Sequence, residues 1–101
     1  MPTKSPPVLE PTTDEQTEVA PPWAVILHND DVTPMDFVVW LLISTFGHTY
    51  DAAVVLMLEV HESGAAVVAS CSQERAELYV EQVHSIARPR GYPLAASCEK
   101  Q

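Results

Sequence analysis

Apolar positions along this chain gather into short runs, and the period of each run names an element. Trp23, Ala24, Val25, Ile26, Leu27 and His28 read as a strand buried on at least one face. Asn29, Asp30, Asp31 and Val32 follow as a turn. A helix is predicted to start with Thr33 as N-cap, Pro34 as its first residue and Asp36 in the first turn. It should run to about Phe46, with Gly47 closing it. A second helix is expected from near Thr49, with Asp51 in its first turn, through His61 to a stop at Gly64. Residues 65–71 read as a strand, and Ser72 caps a third helix. That helix carries its apolar stripe on Ala76, Tyr79, Val80, Val83, Ile86 and Ala87. Pro89, Gly91 and Pro93 then break the chain, and residues 94–98 form a last strand. The order β-α-α-β-α-β predicts an α+β fold of three helices packed on a small three-stranded sheet.

The first two helices are too apolar for a protein of 101 residues. Hydrophobic side chains run almost unbroken from Phe37 to Ile43, and Leu56, Met57, Leu58 and Val60 follow in the second helix. A helix in so small a domain is not buried all round, so part of this surface should be exposed or form a groove. Met35, Val38 and Leu42 fall on one helix face, and Met57, Val60 and His61 on the other. Two methionines at such an edge suit an adaptable apolar pocket. The same spacing also describes ordinary core packing. Trp40 reads either as an exposed aromatic or as one packed under the N-terminal segment.

Residues 1–22 differ from the rest. They hold Pro2, Pro6, Pro7, Pro11, Pro21 and Pro22 among Thr, Glu and Asp, with few apolar residues to offset the entropy of ordering. They read as a disordered, extended, acidic tail, and residues 23–101 as the folded domain.

Charge narrows the partners. There are 14 acidic residues against 5 basic ones, a formal net charge of −9. No basic residue lies between Lys4 and Arg75. Nucleic-acid binding needs a clustered basic footprint, and an anionic membrane surface repels such a chain. A ligand carrying a cationic group fits better. No apolar run reaches the ~20 residues of a membrane span, and neither a signal h-region nor an Arg-rich transit pattern is present, so a cytosolic protein is expected. Cys71 and Cys98 read as reduced core thiols, with a bridge open if their strands are adjacent.

The candidate chemistry lies beside the apolar edge. Asn29, Asp30 and Asp31 precede the first helix and adjoin Met35, while His61 ends the second. A carboxylate, an amide and an imidazole at the mouth of an apolar cleft suit a molecule with an ammonium head and an apolar body. Asp30 and Asp31 equally suit turn and cap chemistry, and His61 a helix-terminal position on the dipole.

The segment 25–38, V-I-L-H-N-D-D-V-T-P-M-D-F-V, strongly resembles the bacterial ClpS family, whose hallmark is N-D-D-x-T-P-M-x-F-V. The segment 56–66, L-M-L-E-V-H-E-S-G-A-A, is similar to the family's M-L-x-V-H-x-x-G-x-A signature. Tyr92, Pro93 and Leu94 through Glu99 resemble its closing segment, so the likeness covers roughly residues 23–100. The resemblance implies a non-enzymatic adaptor, without cofactor or metal. It would bind N-degrons, proteins that begin with Leu, Phe, Tyr or Trp, and deliver them to a Clp AAA+ unfoldase of ClpA or ClpC type. It would be a monomer on its own. Carried over by residue, Asn29, Asp31 and His61 would hold the substrate's α-amino group. Asp30 and Thr33 would line the site and touch the peptide backbone. Met35, Val38, Met57, Val60 and Leu94 would enclose the first side chain, with Met35 as a gate against β-branched residues. Glu74 matches a family contact to the ATPase, whereas Tyr79 stands where the family has a lysine. His28 and Trp40 are further departures.

Two readings compete. Asp30, Asp31 and His61 are the residues a metal-dependent hydrolase would use, although no spacing such as H-E-x-x-H is present. The other is a ClpS-fold interaction domain without degron binding. A stand-alone adaptor, rather than a domain of a larger ligase, is expected from the short chain with its own tail.

Overall fold

The computed structural model describes residues 20–101. The tail predicted for residues 1–22 therefore falls almost wholly outside the described residues. Strand β1 (Trp23–His28) is followed by helices α1 (Met35–Ser44) and α2 (Tyr50–Ser63). Strand β2 (Ala65–Cys71), helix α3 (Gln73–Ala87), a single 3-10 turn (Arg88–Arg90) and strand β3 (Ala95–Lys100) complete the order. This is the α+β arrangement that the hydrophobic pattern predicts.

The sheet is antiparallel with the order β2-β1-β3. The first strand is thus the central one, which accounts for its apolar composition. Val25 and Leu27 are fully buried under the helices, whereas Val67 on β2 is exposed. The helices cover one face, with α3 against β1 and β3, α2 against β2, and α1 against α2. Pairing of Val25 with Ala69 and of Ile26 with Val67 leaves Val68 as an extra residue, a β-bulge. Its carbonyl accepts the Nε2 of His48 at 2.7 Å, which fastens the α1–α2 connection to the sheet.

Local chemistry explains most boundaries. Thr49 Oγ1 accepts the Ala52 N–H, and Ser72 Oγ accepts the Arg75 N–H, so both residues cap their helices as expected. Gly47 takes a left-handed φ of 79°, and its N–H reaches the Ile43 carbonyl. Helix α1 itself ends at Ser44, with Thr45 as its cap, two residues short of Phe46. Its start also differs from the prediction. Helix α1 begins at Met35 with Pro34 at the cap position, and Thr33 is not the cap. The Thr33 hydroxyl is instead spent on Asp30, and Pro34, with no N–H, needs no acceptor. Strand β3 starts at Ala95 and extends to Lys100, because Glu99 and Lys100 pair with Ala24 and Trp23.

The core gathers Val25, Leu27, Leu41, Leu42, Val60, Val68, Val83 and Leu94, with Ala53, Ala76 and Ala87 at the close approaches. Cys71 and Cys98 are free and half-buried. Their strands are not adjacent, since β1 lies between them, and two strand spacings of about 4.8 Å each exceed the reach of a disulfide.

Candidate functional site

The loop that leaves β1 is a closed turn built around one carboxylate. Asp30 Oδ1 accepts the N–H groups of Val32 at 2.8 Å and Thr33 at 2.7 Å, and Oδ2 accepts the Thr33 hydroxyl at 2.8 Å. Burial pushes the Asp30 pKa up, but the Thr33 and Val32 hydrogen bonds and the charge of Arg88 outweigh it. The carboxyl is held below its ordinary value and stays ionised. Both oxygens of Asp30 therefore serve the loop.

A second tie fixes this loop to α2. The Asn29 N–H donates to the Gly64 carbonyl at 2.9 Å, where Gly64 closes α2 with a left-handed φ of 91°. His61 lies in the last turn of that helix. The side chains of Asn29, Asp31 and His61 are exposed, and none makes a side-chain hydrogen bond to another described residue.

Below this lip lies a cavity of about 410 Å³. Val38 and Val60, both buried, and the methionines Met35 and Met57 form its apolar wall. Asn29, Asp30, Asp31, Thr33 and His61 stand at its polar mouth. The volume lies within the range of small-molecule sites, and an apolar body with a few convergent polar groups is their usual composition. Such a hollow suits an apolar side chain next to a cationic head. Among the described residues, no three His, Cys, Asp or Glu side chains come together as a metal-ligand set.

All but one of the pocket and lip residues that the resemblance assigns line this cavity. The exception is Leu94, which does not line it and is 1% exposed within the core. It lies just before β3, and its carbonyl accepts Arg88 Nη1 at 2.7 Å. Leu42, placed by helical spacing on the cavity face, is also fully buried in the core. Two liners escaped the sequence reading, Val32 and Pro34. Both belong to the turn between Asp31 and Met35, where no periodicity signals which way a side chain faces.

Away from the residues that line the cavity, Glu74 is exposed in the first turn of α3. Tyr79 is half-buried, with its ring stacked on Phe46 at 4.5 Å and Arg75 at 5.7 Å from its centroid. Trp40 is 46% exposed, against Phe37 at 5.7 Å and under the guanidinium of Arg90 at 5.4 Å. His28 Nε2 meets Ser97 Oγ across the sheet at 2.8 Å. Among the described residues, no helix is long and apolar enough to cross a membrane.

A polar lip over an apolar hollow, set on a small α+β frame, defines a recognition module. Comparison with known proteins names its kind. The model of the family described as ATP-dependent Clp protease adaptor protein ClpS matches residues 18–97. An ATP-dependent Clp protease adapter protein ClpS from Desulforapulum autotrophicum is 43% identical over 88 residues, covering 86% of this chain and 85% of the relative. One from Roseobacter denitrificans is 44% identical over 89 residues, covering 88% and 79%. Among solved structures, Agrobacterium tumefaciens ClpS2 bound to L-phenylalaninamide is similar with a TM-score of 0.79 at 30% identity, over 81% of this chain and 99% of that one. The chain belongs to the ClpS family of Clp protease adaptors.

Proposed function

We propose that this chain binds the free N-terminus of proteins that begin with Leu, Phe, Tyr or Trp and delivers them to a Clp AAA+ ATPase–protease. The observation that carries the reading is the meeting of an apolar cavity with a lip whose acceptors are uncommitted. Asp30 is used up by its own turn, whereas the adjacent Asp31, with Asn29 and His61, is left facing solvent. A free α-amino group is mostly protonated at neutral pH. Asp31 accepts from it with charge assistance, the Asn29 amide offers a carbonyl oxygen, and a neutral His61 offers one ring nitrogen. The first side chain enters between Met35, Val38, Met57 and Val60, a burial of roughly 1.5–3 kcal/mol. Neither end of the ligand suffices alone, and together they support roughly micromolar binding. The phenylalaninamide bound by the Agrobacterium relative, an apolar side chain beside a free amine, agrees with this reading.

Asp30 and Thr33 act mainly by holding the loop, with the peptide backbone passing over them. Delivery falls to α3. Glu74 is free to be contacted there, whereas Tyr79 is half-buried and committed to Phe46. The chain works as a monomeric, non-enzymatic adaptor in the cytoplasm.

The test is fluorescence anisotropy with a labelled peptide that begins with free Phe, compared with its N-acetylated twin. The free peptide is expected to bind with a micromolar Kd, and the acetylated one at least about 30-fold more weakly. Equal affinity for both, or none for either, overturns the reading and leaves an interaction domain without degron binding.

A further inference from the structure

A second apolar hollow adjoins the first. Helix α1 leaves Met35, Trp40 and Ile43 exposed along one edge, and Tyr50 at the start of α2 is exposed beside them. With Val39, Val54 and Met57 they line a groove of about 510 Å³ between the two helices, in which Asp36 is the one charged liner. Exposed apolar surface gathered in one place marks a contact site. The groove is continuous with the cavity, since Met35 and Met57 line both. Its largest side chain is also held in place: Trp40 rests against Phe37 at 5.7 Å and beneath Arg90 at 5.4 Å. A fixed aromatic ring binds without a large ordering cost.

We propose that this groove takes apolar side chains from the second to fourth residues of the same substrate whose first residue fills the cavity. The proposal rests on the N-terminus reading above. An extended peptide advances about 3.3 Å per residue. A chain that passes over Asp30 and Thr33 and continues past Met35, which lines both hollows, therefore lies over Val39, Trp40 and Ile43 within its next few residues. The groove is almost wholly apolar, so it discriminates by burial: leucine is favoured over serine at these positions. The adaptor then reads a short apolar stretch and not only the terminal residue.

The experiment compares three ligands of the full chain. One peptide carries Phe followed by Leu at positions 2–4, a second carries Ser at those positions, and the third is L-phenylalaninamide. The Leu peptide is expected to bind about tenfold more tightly than the Ser peptide, as partial burial of one or two leucines allows. Trp40→Ala and, separately, Ile43→Ser should remove most of that difference and leave phenylalaninamide binding unchanged. Equal binding of the two peptides by the unaltered chain overturns the proposal. So does a loss that is the same for phenylalaninamide as for the Leu peptide, because Trp40 would then only support the fold. Deletion of residues 1–19 that tightens the Leu peptide would make the tail the groove's occupant, and a change in sedimentation of the free chain on Trp40→Ala would make it a self-association face. Either result overturns the proposal. If phenylalaninamide itself fails to bind, the underlying reading falls first, and that failure is visible by itself.

Discussion

Helix α3 and the α1–α2 pair are cut from similar apolar residues and use them differently. In α3 the buried positions Ala76, Val83 and Ala87 form a narrow stripe, and Glu74, Glu77 and Glu81 face solvent. That helix spends its apolar surface on the sheet, apart from the exposed Leu78. Helix α1 buries Phe37, Val38, Leu41 and Leu42 and still leaves Met35, Trp40 and Ile43 outside. The surplus lies where the cavity and the groove are. In α1, apolar surface beyond what the helix needs for its own packing marks the binding side.

Substitutions on the two sides should separate accordingly. The largest effect is expected from Leu94→Ala on the sheet side, which leaves a hole in the core and costs about 2–5 kcal/mol in chemical denaturation. The affinity of the protein that remains folded should hardly change, and a binding loss without a stability loss would move Leu94 to the cavity. Next come the two adjacent aspartates. Asp31→Ala should weaken a Phe-initiated peptide by roughly 1.5–3 kcal/mol, about 10- to 150-fold, at an unchanged midpoint of unfolding. Asp30→Ala strands the Val32 and Thr33 donors and should cost about 1–3 kcal/mol of stability. If the two variants behave alike, the division between a structural and a binding carboxylate fails.

A smaller effect belongs to pH. His84 Nε2 accepts the Ala96 N–H at 3.1 Å, so its protonation breaks that bond. Burial, and then the charge of Arg88, hold its pKa below the ordinary 6.5. A depressed histidine pKa means that the unfolded chain takes up the proton first. The contribution is therefore complete above about pH 6.5 and is lost as pH falls through the range beneath it. The melting temperature should drop on acidification, and His84→Gln should flatten that part of the profile. An unchanged profile would remove His84 as its cause. The smallest effect is a change of preference. Met35→Ala should admit peptides that begin with Ile or Val with little change for Phe, as competition binding would read, and continued rejection would end the gate reading.

Much of this was legible in the sequence because local chemistry and the global fold agree. Thr49 and Ser72 are caps by composition and caps in the structure, and the alternation of helix and strand periods gives the element order. The lip and cavity were legible as two separated segments that a helix pair had to bring together. Periodicity failed where a side chain had two possible employers. Thr33 is a good N-cap by type, yet Asp30 claims its hydroxyl. Leu94 lies in the segment that closes the resemblance, yet it is buried in the core just ahead of β3. Leu42 suits the cavity face by spacing, but packing around the buried valines takes it inward. Sheet order was not legible at all, which is why Cys71 and Cys98 were open to pairing until β1 was found between them.

Gly64 joins two otherwise separate tasks. Its left-handed torsion ends α2, and its carbonyl holds the backbone of Asn29. A side chain at that site meets no neighbour, so any penalty for replacing it lies in the torsion, roughly 1–2 kcal/mol. The span between the loop acceptors and the imidazole is consequently a property of the main chain, cast when the first two strands zip together. The receptor arrives with its grip already measured, and a drift of one peptide plane would be felt by folding and by ligand alike.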